Sequence, residues 1–490
     1  MFRRRLAEAA DVKVRMFFAL GALLVLAPGP ARAQSLHLNL QLSGLRVRPI
    51  EAASLFHTFF NDFFRQRDGT VYVQTGDIPA MWLRDSSTQT MPYVRFEPFY
   101  PVLSQSLNGV IQRNAKNVLA DPYANAFTAD YHVWERKWEI DSLAWPVLLA
   151  WQYWTQTHDR SLFTPALHAA LRTVVATYRC EQRHDRCIEY SYDYFTRTHD
   201  AYNPDTGMIW DAFRPSDDPV TYRFNIPQEA LAVVALIDLA ALSRDGYADG
   251  ELARRATAMA ARVQVGIARY GLVYSARYGA MYAYETDGLG HYELMDDANV
   301  PNLLALPEIG WCSNYDPTYV NTRNFALSPA NPWYFRGRYA QGLGSPHTPY
   351  GFVWPLGIIA RALTSTSSTE VEESISTLAE TDSADGLIHE SFYPGGYWRF
   401  TRAEFGWANA LYAELIFRTI AGFRAMPTSP YGTMLPFELP NRTPPLERPL
   451  TRVKNAALLI ESLGQLLSRA NDFTETERNG DARSPTKRIP

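Results

Sequence analysis

The chain contains little cysteine and shows no pattern of metal ligands. Only Cys180, Cys187 and Cys312 occur among its 490 residues, which excludes a small protein held together by disulfides. Paired C-x-x-C motifs and an H-E-x-x-H motif are both missing, and the ten histidines show no ligand spacing. We therefore expect no catalytic metal and no other cofactor.

An excess of basic charge is also missing, because 47 Lys and Arg stand against 51 Asp and Glu. Nucleic-acid-binding proteins carry clustered basic residues, so this class is excluded. Hydrophobic residues make up 47% and charged residues 20%, which excludes a disordered or fibrous chain. The 12 Trp, 28 Tyr and 25 Phe indicate either an aromatic core or surfaces that stack on apolar faces such as sugar rings.

Residues 1–33 have the pattern of a signal peptide: basic residues, the short apolar run Phe17–Ala27, and an A-x-A cleavage site ending at Ala33. A retained membrane anchor is the alternative, although the run is short for a bilayer span. Cleavage leaves 41 basic against 49 acidic residues, a net charge of −8. We expect a protein exported to the periplasm or secreted, without membrane contact. In that oxidising environment, Cys180 and Cys187 are spaced for a local disulfide.

Helical periodicity recurs along the chain, and the unusual polar and aromatic residues lie between the periodic segments. Helices are predicted over 51–66, 140–154, 230–241, 250–268 and 408–415. The predicted inter-helix segments are 68–95, 181–227, 271–350 and 385–402, with short strands at 71–73 and 272–274. The chain therefore reads as mostly helical, with its chemistry on the loops.

The domain organisation follows from composition. Residues 34–425 contain no low-complexity linker and form the predicted catalytic domain. Residues 426–490 form a proline-rich extension, with one predicted helix at about 452–469 and a polar tail predicted to be disordered.

Trp82, Arg84 and Asp85 form the first candidate group of site residues. A tryptophan face beside a guanidinium donor and a carboxylate acceptor suits the ring and the vicinal hydroxyls of a sugar. A structural Arg–Asp salt bridge is the other interpretation, and these three residues alone do not decide between the two.

Acidic residues in three further segments are candidates for proton transfer. Asp217 and Asp218 are adjacent, so that each charge raises the pKa of the other carboxyl and keeps one acid protonated. An Asp-rich turn or helix cap is the alternative. Glu390 follows an Asp-Gly turn and precedes a predicted helix, so it projects either into a site or into solvent. Asp141 lies in the first turn of a predicted helix, where the helix dipole explains it.

Further polar segments at 295–302, 344–349 and 400–402 complete an ordered series of motifs. This series closely resembles glycoside hydrolase family 125, the exo-acting α-1,6-mannosidases, from about residue 45 to 420. Long ungapped strings make the resemblance specific. The stretches that carry it are TGDIPAMWLRDSS, VWERKWEIDS, FRPSDD, YAYETDG, MDDANVP, NTRNFALS, GSPHTP and HESF.

The resemblance implies a mainly α fold, an (α/α)6 barrel whose long loops form the active-site face. It also implies that the chain hydrolyses terminal α-1,6-linked mannose from a mannose-containing glycan, with inversion and without a metal. Inverting glycosidases use two carboxyl groups roughly 6.5–9.5 Å apart, one as the acid and one as the base that activates water.

The resemblance also assigns roles to particular residues. The family's general acid corresponds to the Asp217–Asp218 pair, with Asp217 preferred, and its general base corresponds to Glu390. The residues expected to bind substrate are Trp82, Arg84, Asp85, Asp296, Asp297, Asn299, His347 and Arg402. The chain departs from the family pattern in the segment 181–189 and at Glu404, neither of which touches the proposed acid or base.

Two other functions stay open. Another (α/α)6 glycosidase, similar to a glucoamylase or trehalase, would share the barrel, but the ordered motifs argue against it. A catalytically inactive glycan-binding protein would keep the sugar contacts, but the presence of Asp217, Asp218 and Glu390 argues against it.

Overall fold

The computed structural model of the chain describes residues 40–42, 45–47, 54, 57–97, 102–187, 189–191, 201–383 and 386–419. The predicted signal peptide, residues 1–33, and the proline-rich extension, residues 426–490, lie outside the described residues. All of the helices described below fall in the predicted catalytic domain.

Helices dominate the described part of the chain. They are α1 (Leu83–Val94), α2 (Val102–Ala120), α3 (Ile140–Thr157), α4 (Pro165–Glu181), α5 (Ile226–Tyr247), α6 (Gly250–Tyr270), α7 (Pro317–Ala326), α8 (Pro355–Leu363), α9 (Ser368–Glu380) and α10 (Gly406–Thr419). The predicted helices at 140–154, 230–241, 250–268 and 408–415 are thereby confirmed.

The helices form two layers. The inner helices pack side by side: α1 between α10 and α3, α3 against α5, and α8 against α10. The other layer covers them from outside, with α2 on α1 and α3, α6 on α5, and α9 on α8. Every residue of α1 except Met91 is buried, whereas α6 buries one apolar stripe and exposes the opposite face. This double layer is the arrangement predicted for an (α/α)6 barrel.

Local sequence signals fix where several helices begin. The Asn225 side chain accepts a hydrogen bond from the Gln228 main-chain N–H, and Pro227 occupies the first turn of α5. The Thr164 side chain does the same for Leu167 at the start of α4. Such caps satisfy main-chain N–H groups that have no partner within the helix.

Three sequence predictions about secondary structure were wrong. The second half of the predicted helix 51–66 is a π-helical turn, Thr58–Asp62, followed by a strand, Phe63–Arg65. The predicted inter-helix segments 68–95 and 271–350 contain α1 and α7, respectively. Helix α1 was missed because Arg84 to Thr90 is an uninterrupted polar run that is nevertheless buried, so the apolar period is lost.

Short strands occupy the loops. They are β1 (Leu40–Leu42), β2 (Leu45–Val47), β3 (Phe63–Arg65), β4 (Val71–Val73), β5 (Met81–Trp82), β6 (Ala126–Phe127), β7 (Val133–Glu135), β8 (Phe224–Asn225), β9 (Leu272–Ser275), β10 (Gly279–Tyr282), β11 (Glu285–Thr286), β12 (Tyr292–Glu293), β13 (Tyr334–Arg336), β14 (Gln341–Leu343), β15 (Ser391–Phe392) and β16 (Phe400–Thr401). They pair as small antiparallel sheets of two or three strands, including β5–β6–β7, β12–β11–β8 and the hairpins β13–β14 and β15–β16.

The order of strands and helices decides where the loops gather. Strand β5 runs directly into α1 and β8 into α5. Four residues separate β7 from α3 and β16 from α10, and eleven separate β14 from α8. The N-terminal ends of the inner helices are therefore surrounded by strands and long loops, which form one face of the barrel.

Two features bear on the cellular environment. Cys180 and Cys187 are disulfide-bonded, as the spacing predicted, and Cys312 is a free, partly buried thiol. Among the described helices, α5 is long and apolar enough to cross a membrane, but 94% of its apolar window is buried inside the protein. The apolar composition of α5 is therefore explained by its place in the inner layer.

Candidate active site

A cavity of about 460 Å³ opens on the loop face, at the N-terminal ends of the inner helices. It brings together side chains that lie far apart in the sequence. The predicted residues that line it are Trp82, Arg84, Asp85, Asp217, Asn299, His347, Glu390 and Arg402, joined by Trp134, Glu135, Lys137, Trp354, Phe405 and Trp407. The sequence motifs are therefore parts of one site.

Arg84, in the first turn of α1, is the centre of an ion-pair network at the base of the cavity. Its Nη1 donates to Glu139 Oε2 at 2.8 Å, and its Nη2 donates to Asp217 Oδ1 at 2.9 Å. Asp85 and Asp141 each place a carboxylate oxygen 3.5 Å from the same guanidinium. Arg84 therefore forms the structural ion pairs of one interpretation and also lines the cavity, where the binding of a sugar stays a prediction.

Asp85 also lines the cavity but is almost completely buried. Burial raises its pKa to about 6, while the positive charge of Arg84 opposes that rise. Apart from the ion pair with Arg84, its buried Oδ2 atom has no hydrogen-bond donor among the described residues.

The loop between Phe213 and Pro219 directs the carboxylate of Asp217 into the cavity. The loop is closed by a bridge between its two ends, and the Asp217 N–H donates to the Arg214 carbonyl at 2.9 Å. Asp217 itself has φ of 63°, a left-handed conformation that costs a residue other than glycine on the order of 1 kcal/mol. Such strain is concentrated at functional sites, where the surrounding structure holds it.

Glu139 is the main site residue that the sequence predictions missed. It caps the N-terminus of α3 and is completely buried, with Ser142 donating to its Oε2 at 2.8 Å. Burial, and then the charge of Asp217, raise the pKa of Glu139 well above its usual value. Although burial opposes it, Arg84 and a hydrogen bond from Glu139 hold the pKa of Asp217 below its usual range. The two carboxyls therefore titrate as a coupled pair, and the opposite pKa shifts favour the proton on Glu139 over Asp217.

Glu390 also lines the cavity, directly before β15. The sequence placed it in the inter-helix segment 385–402, ahead of the predicted helix 408–415. The hairpin β15–β16 occupies this segment, and α10 follows it. The Arg402 guanidinium lies 3.7 Å from Glu390 Oε1 and is itself held by Asp77 Oδ1 at 2.8 Å and by the Thr75 carbonyl. The hairpin thus holds the carboxylate and the arginine side by side.

His347 faces the acidic loop from the opposite side. Its Nδ1 lies 3.7 Å from Asp218 Oδ2, which also accepts a 2.8 Å hydrogen bond from Ser216. Burial opposes protonation of His347, but the close approach of Asp218 and the charges of Asp217 and Glu390 raise its pKa to about 9. A positively charged histidine therefore stands at the cavity mouth at neutral pH.

Asp296 and Asp297 do not reach the cavity, which corrects the prediction that they bind substrate. Asp296 accepts main-chain hydrogen bonds from Leu303 and Leu304 at 2.8 and 3.0 Å. Asp297 accepts from Asn299 N–H at 2.9 Å and from Ser345 Oγ at 3.0 Å. Both carboxylates are completely buried and hold the loop that presents Asn299, which does line the cavity.

Replacing Asp296 with alanine tests this structural role. Two buried N–H groups would lose their acceptor, and each such loss costs about 1–3 kcal/mol, so we expect the unfolding free energy to fall by about 2–6 kcal/mol. Thermal unfolding measures the loss, and KM for the substrate should stay within about twofold of wild type at a temperature where the variant is folded. A raised KM without a lower Tm would instead return Asp296 to the substrate-binding residues.

Among the described residues, two groups have the donors for a metal ion: His57 with Asp62 and Glu404, and Glu181 with the disulfide-bonded Cys180 and Cys187. In the first group, His57 Nε2 lies 2.6 Å from Glu404 Oε1, and Asp62 accepts from Gln89 at 3.0 Å. These donors and acceptors already satisfy one another, and neither group lines the cavity.

Comparisons with known proteins agree with this geometry. The family model of the metal-independent α-mannosidases, GH125, matches residues 59–132 and 128–417. The meiotically up-regulated gene 157 protein of Schizosaccharomyces pombe is 37% identical over 387 residues, which cover 70% of this chain and 75% of that protein.

Solved structures give the same result. A Streptococcus pneumoniae metal-independent α-mannosidase, determined as a non-productive complex with α-1,6-mannobiose, matches with a TM-score of 0.71 and 35% identity. The match covers 75% of this chain and 92% of that one. A bacterial glucoamylase complexed with acarbose matches with a TM-score of 0.52 at 14% identity, over 76% and 55% of the two chains, and shows the fold alone. The predicted (α/α)6 fold class is confirmed.

Proposed function

Because the chain belongs to glycoside hydrolase family 125 and is a metal-independent α-mannosidase, we propose that it removes terminal α-1,6-linked mannose from glycans, one residue at a time and with inversion. The observation that carries the proposal is that Asp217 and Glu390, from two separate loops, line one cavity. An acid and a base on opposite sides of a sugar are what inversion requires. The relative that bound α-1,6-mannobiose supports the linkage.

The shape of the cavity supports attack at a chain end. Arg84 and Trp407 both line it, with the guanidinium 5.4 Å from the centre of the indole ring, and both side chains are buried. Such a buried lining favours the binding of one terminal sugar over the passage of a continuous chain. Trp82, Trp354 and Phe405 line the cavity with apolar surface suited to the C–H groups of that sugar.

The proposed reaction is a single displacement. Glu390 takes a proton from a water molecule, whose oxygen forms a bond to the anomeric carbon. The bond from that carbon to the glycosidic oxygen breaks at the same time, and Asp217 gives its proton to the departing oxygen. Arg402 holds Glu390 on the water side, while Arg84 holds Asp217 on the leaving-group side.

Glu139 supplies the proton that Asp217 needs. The pKa shifts favour the proton on Glu139 in the free enzyme, and in the proposed mechanism this proton passes along the hydrogen bond to Asp217 before or during bond cleavage. We call the Glu139 carboxyl the proton reserve, because it supplies the proton that Asp217, the general acid, donates. The positive charge of Arg84 is balanced by the carboxylate, Glu139 or Asp217, that does not hold the shared proton.

A Glu139→Gln variant tests the reserve. Catalysis requires the acid protonated and is lost as pH rises through its pKa. In the variant, Asp217 must hold the proton alone while Arg84 lowers its pKa, so the alkaline limb of kcat/KM should move to lower pH by roughly one unit or more. Glu139→Asp keeps a titratable group at this position, so the alkaline limb of its kcat/KM profile should lie closer to that of the wild type. Superimposable profiles for Glu139→Gln and wild type would exclude the reserve.

The activity itself is tested with three disaccharides. The enzyme should release mannose from α-1,6-mannobiose and much less from the α-1,2- and α-1,3-linked forms, with or without EDTA. NMR of the early product should show β-mannose, because inversion converts the α-linkage to a β-product. Early α-mannose would reject the inverting mechanism, and preference for another linkage would reject the proposed substrate.

We also propose that the protein is exported. The signal-peptide pattern of residues 1–33 supports this, and the Cys180–Cys187 disulfide is typical of oxidising compartments. Mass spectrometry of the protein purified from the producing cells should show a mature N-terminus at Gln34. An intact N-terminus on a membrane-bound protein would favour the retained anchor instead.

A further inference from the structure

A cluster of exposed aromatic rings borders the mouth of the cavity. We call it the aromatic platform, and it consists of Tyr339, Tyr350, Tyr393, Trp398 and Phe400. Tyr350 and Trp398 are 77% and 62% exposed, and the others more than a third. Single exposed aromatic residues are ordinary on protein surfaces, but a cluster this close to an active site indicates a binding surface.

The platform is held rigid by its own supports. The Tyr350 ring packs 5.0 Å from the Phe335 ring, and the Tyr339 ring packs 6.2 Å from the Trp398 indole. The hairpin β13–β14 is joined to the loop after β15 by a 2.9 Å hydrogen bond from the Tyr339 N–H to the Pro394 carbonyl. Rings fixed in this way lose little conformational entropy when a ligand stacks on them.

Two segments connect the platform to the cavity. The first runs from His347, beside Asp218, through Pro349 in the cavity wall to Tyr350. The second is β16, where Thr401 lines the cavity and the preceding Phe400 is exposed. Asp217 protonates the leaving group in the proposed mechanism, and the segment 347–350 leads from His347, beside Asp218, to Tyr350.

The chemistry of the platform matches a polysaccharide. Pyranose rings present C–H faces that pack on aromatic rings, and their hydroxyls need donors at the edges. The Arg399 guanidinium lies over the Tyr393 ring, 4.7 Å from its centre, and that of Arg338 lies over the Tyr339 ring at 5.3 Å, so the platform also carries hydrogen-bond donors. We propose that the aromatic platform binds the mannose residues of a long α-mannan chain beyond the two sugars at the scissile bond.

This inference rests on the proposed function and is tested by chain length. Tyr350→Ala and Trp398→Ala should each raise KM for a long α-1,6-linked mannan by about three- to tenfold, with kcat unchanged. Kinetic constants for α-1,6-mannobiose should stay the same, because a disaccharide does not reach the platform. Tyr274→Ala is the matched control, since this tyrosine is 82% exposed on the distant hairpin β9–β10.

A binding measurement separates the two proposals. In gels that contain the mannan, the wild-type protein should be retarded, Tyr274→Ala equally so, and the two platform variants several-fold less. Release of mannose from mannobiose, with equal retardation of all four proteins, would overturn the platform but leave the proposed function intact. Retardation without mannose release from any substrate would overturn the proposed function alone. If the wild type self-associates and Trp398→Ala abolishes this association, the platform binds a second copy of the chain. That result would overturn the proposal that it binds a glycan.

Discussion

A Glu390→Gln variant is expected to lose nearly all activity, on every substrate. General base catalysis contributes about 10²–10⁴-fold, and glutamine cannot accept the proton of the attacking water. Glutamine keeps the size of the side chain, so the hairpin β15–β16 should stay folded. The rate should therefore fall by about 10²–10⁴-fold on α-1,6-mannobiose and on α-mannosyl fluoride alike, since a better leaving group does not replace an activated nucleophile.

The matched control for this variant is Glu404→Gln. Glu404 lies on the same side of the barrel, but its carboxylate faces His57 at 2.6 Å and does not line the cavity. We expect its rates to stay within a few-fold of wild type. Azide should partly restore the turnover of mannosyl fluoride by Glu390→Ala and give the β-mannosyl azide, because the small anion occupies the vacated water side. A Glu390→Gln rate close to that of the control would remove Glu390 from the mechanism.

The helices of the barrel differ in how much of them the sequence reveals. Helix α6 has a regular apolar stripe because one of its faces meets solvent, and its predicted bounds agree with the structure. Helix α1 is enclosed on all sides and buries polar groups such as Ser86 and Gln89, which bond to the Leu83 carbonyl and to Asp62. Periodicity detects contrast between core and solvent, so a helix that buries polar residues against a site gives no such signal.

The residues of the site could also be predicted only in part from the sequence. Asp217–Asp218 and Asp296–Asp297 are both adjacent acidic pairs, and the sequence assigned both to the site. The structure separates them because Asp217 lies in a left-handed turn that aims it at Arg84, whereas Asp296 bonds to the N–H groups of its own loop. Glu139 was missed for the opposite reason. Its role depends on a proton shared with a residue from a distant loop, and no local motif records such a pair.

The second large effect on the rate is expected when the general acid is replaced, and it distinguishes Asp217 from Asp218. Asp217 lines the cavity and is tied to Arg84 and Glu139, while the Asp218 carboxylate turns toward Ser216 and His347. Asparagine is a suitable replacement for Asp217, because it tolerates the left-handed conformation that Asp217 adopts. The same replacement is used at Asp218 for comparison. Loss of activity in either variant will therefore report on proton transfer and not on a misfolded loop.

An Asp217→Asn variant should lose about 10²–10⁴-fold in rate on α-1,6-mannobiose, whose leaving oxygen needs a proton to depart. On α-mannosyl fluoride the loss should be much smaller, since fluoride leaves with less help. The ratio of the fluoride rate to the mannobiose rate should therefore rise steeply for Asp217→Asn and stay nearly flat for Asp218→Asn and Glu390→Gln. A steep rise for Asp218→Asn alone would transfer the role of acid to that residue, with His347 as its partner. A rise for Glu390→Gln would reverse the roles of acid and base, and near-normal mannobiose rates in all three variants would place the chemistry outside this cavity.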